Sequence, residues 1–147
     1  MTRRVLFVCL GNICRSPAAE GVVRALAGDR LRLDSAGTSD WHRGAPPYGP
    51  MIEAAAGRGI DLRSLRARQF TRRDFLDFDL IVVMDADNRA DVERLRPEGA
   101  ETPVSLFTDY APEAGMNHVP DPYYTRDFEA TLDLIELCAA GLVRDLL

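Results

Sequence analysis

Cys9 and Arg15 bound the stretch Cys9-Leu10-Gly11-Asn12-Ile13-Cys14-Arg15, followed at once by Ser16-Pro17. A loop of this length can turn its backbone N–H groups, from Leu10 through Cys14, inward around a tetrahedral dianion. A helix start just beyond it adds a positive dipole end and further free N–H groups. An arginine fork holds two phosphate oxygens side by side. A cysteine beneath the phosphorus is favoured as thiolate in that field and can act as a nucleophile. The chemistry indicated is phosphoryl transfer through a phosphocysteine.

The bare spacing is weak: with three cysteines and 18 arginines in 147 residues, chance supplies it roughly 0.4 times per chain. Context makes it specific. Val5-Leu6-Phe7-Val8 is an uninterrupted apolar run that reads as a strand ending at the cysteine. Ser16-Pro17 reads as an N-cap with proline at the first helical position. Ala18, Val22 and Leu26, with Ala19 and Val23, then form one apolar helical face. Gly11 and Asn12 are residue types that tolerate left-handed backbone in a tight loop.

Transfer from an alcohol or phenol also needs a group to protonate the departing oxygen. Asp121, between Pro120 and Pro122, is the candidate, since flanking prolines stiffen its loop; an Asp before Pro is also a common turn former. Tyr123 and Tyr124 beside it, and Trp41 in another loop, can sandwich an aromatic leaving group. Cys14 either fills space behind the loop or forms a reversible disulfide with Cys9. Cys138 belongs to the core, and His42 and His118 lack partners at metal-ligand spacing, so neither a metal nor a cofactor is expected.

Positioning these residues requires strands and helices in alternation. Val5–Val8 and Leu80–Met84 read as central strands of a parallel sheet, buried on both faces; 31–36 and 103–107 read as edge strands. Helices are expected over 17–27, 49–58 and 87–95, and a long terminal helix presents Phe128, Leu132, Ile135, Cys138, Leu142 and Leu146 on one face. The pattern implies an α/β fold: a doubly wound four-stranded parallel sheet of order 2-1-3-4 with helices on both faces. The Cys9 loop then emerges at the switch point between strands 1 and 3, where such sheets bind ligands. Residues 38–50 and 108–124 read as long surface loops able to wall a site.

At 147 residues, with 46% hydrophobic and 28% charged residues, the chain reads as a single domain spanning 1–147. Its start runs straight into a strand, so neither a signal peptide nor a membrane span is expected. An odd cysteine count fits reduced thiols and a cytoplasmic location. The chain has no lysine, which excludes Schiff-base chemistry and a Walker-type loop, and its net charge of −5 argues against nucleic-acid binding. A basic block, Arg58, Arg63, Arg66, Arg68, Arg72 and Arg73, reads as a solvated surface stretch, with attraction of acidic phosphopeptides as the alternative.

Taken together, the chain resembles the low-molecular-weight protein tyrosine phosphatases nearly end to end. The family's loop corresponds to Val8–Pro17, its Ser-Ala-Gly-Thr segment to Ser35–Thr38 and its Trp-x-x-Gly to Trp41–Gly44. Its Met-Asp-x-x-Asn corresponds to Met84–Asn88 and its Asp-Pro-Tyr-Tyr to Asp121–Tyr124. The resemblance implies Cys9 as nucleophile and Arg15 as clamp for the equatorial oxygens. It implies Ser16 as donor to the thiolate, Asn12 as loop brace helped by Ser35, and Asp121 as general acid and then general base. It also implies Tyr123 and Tyr124 as substrate walls, phosphorylated in some relatives. Phosphotyrosine proteins are the implied substrates, in bacteria often tied to a tyrosine kinase, with inorganic phosphate as product. One departure stands out: the family's His-x-Ala-Arg, whose histidine helps pin the asparagine, reads Leu65-Arg66-Ala67-Arg68 here. Loop rigidity must therefore rest on Ser35 or other contacts. Rival readings are arsenate reduction, for which 82–97 lacks resolving cysteines, a non-catalytic phosphate-binding module, and sulfur transfer.

Overall fold

Val5, Leu6, Phe7 and Val8 are fully buried in the computed structural model, which describes residues 2–147. Their side chains alternate between the two faces of one sheet. Val5 and Phe7 join one apolar cluster; Leu6 and Val8 join another. This double burial explains why β1 (Arg3–Cys9) and β3 (Leu80–Val83) read as unbroken apolar runs. The sheet order is β2-β1-β3-β4, all parallel, with β2 at Leu31–Gly37 and β4 at Val104–Leu106. This is the expected topology. Cys9, at the C-terminal end of β1, pairs with Gly37 of β2.

Helices cover both faces. On one, α1 (Arg15–Ala27), α2 (Gly49–Ala56) and α6 (Phe128–Leu146) contribute Val22, Val23, Met51, Leu132, Ile135 and Leu142 to the larger cluster. On the other, α3 (Asp74–Asp77) and α4 (Ala86–Arg94) supply Phe75 and Val92, packed against Ile81 and Val83. A last short helix, α5 (Pro122–Thr125), carries the two tyrosines. No helix among the described residues is long and apolar enough to cross a membrane.

Several boundaries differ from the sequence-based expectation. Helix α1 starts at Arg15 rather than Pro17, and Ser16 is inside it rather than at its N-cap. The Ser16 hydroxyl is turned to the Cys9 sulfur instead of capping the helix. Helix α2 stops at Ala56, where Gly57–Gly59 close in turn-type bonds to Glu53, Ala55 and Ala56. Pro103 lies outside β4, although its carbonyl still accepts from Ile81 N–H, and Phe107 turns into a 3-10 segment to fill the core against Phe7.

The basic block is not simply a solvated stretch. Arg58 reaches Glu129, Asp133 and Glu136 on α6, and Arg68 joins Asp34 to the buried Asp74. Both arginines tie separate elements together. The segment around Arg68 also runs beside the end of β2. Gly37 N–H donates to Arg68 O, Phe70 N–H donates to Gly37 O, and Gln69 bridges Gly37 in parallel register.

Candidate active site

The loop after β1 is held from behind before any side chain is considered. Cys9 O accepts from Thr38 N–H at 2.9 Å, Leu10 O from Ser39 N–H at 3.0 Å, and Ile13 O from Tyr48 N–H at 2.8 Å. Asn12 takes the left-handed backbone its residue type tolerates, at φ 57°. That turn points Asn12 N–H at the Cys9 sulfur, 3.3 Å away.

The polar groups beneath the loop form a network in which every proton can be assigned. Asn12 Nδ2 donates to Ser16 Oγ at 2.7 Å and to Ser35 Oγ at 3.0 Å. Both hydroxyls thus act as acceptors and keep one proton each. Ser35 donates its proton to Glu20 Oε1 at 2.8 Å. Ser16 faces Cys9 Sγ at 3.0 Å and, less closely, Ala36 O at 3.4 Å, so a sulfur anion draws its proton. Asn12 Oδ1 accepts from the Arg68 backbone N–H at 3.0 Å. This backbone donor and Glu20 brace a loop whose chain lacks the family histidine; Leu65, in that position, packs half-buried against the core.

Arg15, the first residue of α1, is only 3% exposed. Its guanidinium donates to Asp85 Oδ2 at 2.7 Å, to Val119 O at 3.1 Å and to Asp121 Oδ2 at 3.4 Å. Burial pulls its pKa down, but Cys9, Asp85 and Asp121 pull the other way and the net direction is up. Asp121 sits at the N-cap of α5, where its other oxygen accepts from Tyr123 N–H at 3.0 Å. Asp121 therefore both forms the turn and faces the loop arginine. The Cys14 thiol is pushed up to about 12, chiefly by burial and then by Cys9 and Asp121.

These residues enclose a cleft of about 200 Å³ lined by Cys9, Leu10, Gly11, Ile13, Cys14 and Arg15 below and by Trp41, His42, Asp121, Tyr123 and Tyr124 around the mouth. Asn12, Ser16 and Ser35 lie beneath it. Trp41 and Tyr124 are 69% and 71% exposed, as open walls of a site rather than caps on the core. Tyr123 packs edge-on against Tyr124 and tilted against Tyr48, with ring centroids 5.4 and 5.2 Å away. Among the described residues no group of His, Cys, Asp or Glu is placed to hold a metal ion.

Four groups at the site escaped sequence reasoning. Glu20 had a faint signal, since it lies four residues after Ser16 and so on the same side of α1. Asp85 had another, at the C-terminal end of a central strand beside the switch point. His42 packs over Gly11, where a Cβ would meet its ring at 3.0 Å, and the Arg68 N–H is a backbone donor; neither left a signal in residue type.

Comparison with known proteins gives the family and the fold. The family model for low molecular weight phosphotyrosine protein phosphatase matches residues 4–147. The chain is 43% identical to a low molecular weight protein-tyrosine-phosphatase of Streptomyces coelicolor, covering 97% of this chain and 93% of that one. It is 40% identical to the low molecular weight protein-tyrosine-phosphatase YfkJ of Bacillus subtilis over 90% and 88% of the two chains. The crystal structure of YfkJ superposes with a TM-score of 0.93 at 37% identity, covering 99% of this chain and 95% of that one. The chain belongs to the low molecular weight phosphotyrosine protein phosphatase family.

Proposed function

We propose that the chain, acting as one catalytic domain, hydrolyses phosphotyrosine in proteins through a phosphocysteine at Cys9. The observation that carries this reading is the convergence on one cleft of the Cys9 sulfur, the Arg15 guanidinium and the Asp121 carboxyl, with Arg15 bonded to Asp121 at 3.4 Å. In the first step Cys9 Sγ attacks phosphorus and the bond to the tyrosine oxygen breaks. Asp121 gives that oxygen its proton. The loop N–H groups of Leu10 through Cys14 and the Arg15 fork receive the three equatorial oxygens and stabilise the charge gathering on them. In the second step Asp121 takes a proton from water, the water oxygen attacks phosphorus and the S–P bond breaks. Cys9 leaves as a thiolate that accepts from Ser16, and inorganic phosphate departs.

The walls set the substrate class. Trp41, Tyr123 and Tyr124 offer aromatic faces at the mouth, so a phenyl phosphate gains stacking that a short seryl phosphate cannot reach. All three cysteines are free, and the reaction needs Cys9 reduced, which suits a reducing compartment such as the cytoplasm. The decisive experiment is hydrolysis of 4-nitrophenyl phosphate and a phosphotyrosine peptide without added metal. Turnover with trapping of a phosphoenzyme is expected, and Cys9→Ser should abolish both. Substantial turnover by the serine variant would end the proposal.

A further inference from the structure

Two non-glycine residues among those described have left-handed backbone: Asn12 in the phosphate loop, at φ 57°, and Arg126 at the C-cap of α5, at φ 63°. Asparagine suits that conformation, but a long side chain adopts it rarely, and a helix that closes this way usually does so on glycine. We infer that Arg126 is a positioning residue, whose guanidinium clamps the α5 turn so that Asp121 meets the leaving oxygen; the inference rests on the phosphatase reading above.

With this backbone the Arg126 side chain lies back over the elements that flank the cleft. Its Cζ is 5.3 Å from the ring centroid of Tyr48 and 5.3 Å from that of Phe128, and the two rings are 6.1 Å apart. A guanidinium over an aromatic face is attracted to it. Arg126 Nη1 also donates to Tyr123 O at 3.2 Å, and Arg126 N–H to Pro122 O at 2.9 Å. Glu53, Asp127 and Glu129 line the groove on which Arg126 borders, yet among the described residues it forms an ion pair with none of them, and Glu129 is taken by Arg58. The rings and the turn hold this cation.

A single helical turn does not hold itself in place. Helix α5 spans only Pro122–Thr125 and carries Asp121 at its N-cap. Asp121 bonds Arg15 at 3.4 Å, a long contact, so the placement of its carboxyl depends on the turn behind it. That turn meets the loop through Tyr123, whose ring lies 5.2 Å from that of Tyr48, and Tyr48 N–H donates to Ile13 O at 2.8 Å. Arg126 therefore joins the turn that carries the acid to the residue that holds the loop. Its charge also reaches the loop: burial raises the Cys14 thiol, Cys9 and Asp121 add to the rise, and Arg15 and Arg126 act against it. A carboxyl displaced even slightly from the departing oxygen transfers its proton less well.

The test is a double-mutant cycle on kcat/KM with phenyl phosphate and 4-nitrophenyl phosphate, a poor and a good leaving group. Arg126→Gly keeps the backbone and removes the clamp. It should slow phenyl phosphate by roughly tenfold, a part of the 10²–10⁴ that a general acid supplies, and 4-nitrophenyl phosphate by about twofold. Arg126→Asn, which tolerates this backbone with less freedom than glycine, should behave alike. In an Asp121→Asn background, Arg126→Gly should slow phenyl phosphate by no more than about twofold, since the group it positions is gone. A loss of stability alone would slow both substrates together and persist in that background. No slowing, equal slowing of the two substrates, or a roughly tenfold loss that survives without the Asp121 carboxyl would overturn the clamp and leave the phosphatase reading standing. Absence of all turnover in the wild-type chain would defeat that reading and the clamp with it.

Discussion

Glu20, a carboxylate 3% exposed on α1, accepts the hydroxyl proton of Ser35 at 2.8 Å. Through that bond a charge on the first helix fixes the direction of a serine on β2, and the serine in turn accepts from the Asn12 amide under the phosphate loop. Arg24, half exposed, completes the chain with an ion pair to the other Glu20 oxygen at 2.7 Å.

Removing the carboxylate should therefore loosen a loop it never touches. Glu20→Ala leaves Ser35 with a buried hydroxyl proton and no acceptor, a loss on the order of 1–3 kcal/mol. Thermal melting and kcat should both fall. Glu20→Gln keeps an oxygen for Ser35 and loses only the ion pair with half-exposed Arg24, so it should restore most of kcat. Equal damage from the two variants would show that the hydrogen bond to Ser35 is not what matters.

Asp121→Asn should slow the first chemical step by about 10²–10⁴-fold for phenyl phosphate, whose leaving oxygen needs a proton. With 4-nitrophenyl phosphate, a far better leaving group, the loss should be much smaller. Measuring kcat across a series of leaving groups checks this; a loss independent of the leaving group would remove Asp121 from the acid role.

Gly37 backs directly onto the loop. A Cβ there would lie 2.7 Å from Leu10 O and 3.0 Å from the Gly11 carbonyl carbon, both main-chain atoms that cannot swing aside. Gly37→Ala should thus cost about 1–3 kcal/mol of stability and shift the anion cradle. Gly49→Ala, at a position with open space, is the matched control. The expected readout is loss of phosphate-induced thermal protection in the first variant and its retention in the second.

Cys14 and Cys138 both have thiol pKa values raised to about 12, chiefly by burial. In the unfolded chain they ionise near the ordinary value of about 8.5, so between there and about 12 the unfolded state binds fewer protons. Folding stability should be intact below that window and decline as pH rises through it, by up to about 1.4 kcal/mol per pH unit for each thiol. Denaturant midpoints measured against pH check the slope, which Cys138→Ala should flatten even if it lowers the baseline. At neutral pH, Cys9→Ser should show no rapidly alkylated thiol.

Much of this was legible because it follows from backbone periodicity. Val5–Val8 and Leu80–Met84 read as strands covered on both faces, and once they are central, order 2-1-3-4 and the place of the Cys9 loop follow. Asp121 was legible through its prolines. What stayed hidden depends on contacts between elements distant in sequence. Asp85 lies inside the Met84–Asn88 motif with no role of its own legible there, and its bond to Arg15 exists only after β1 and β3 pair. Glu20 reads as a charge on an amphipathic helix until β2 brings Ser35 against it. The Arg68 N–H is a main-chain donor, which every residue but proline possesses, so no residue type betrays it.

The stretch 67–70 that supplies this N–H also meets the C-terminal end of the outer border of β2, where it bonds both the N–H and the carbonyl of Gly37. A bare sheet border is a template on which a second chain can add a strand. The same few residues that steady the anion cradle therefore also occupy the C-terminal end of that border at Gly37. Lesions that free this stretch should yield protein that is at once inactive and prone to clump on warming, and the two defects should be repaired together.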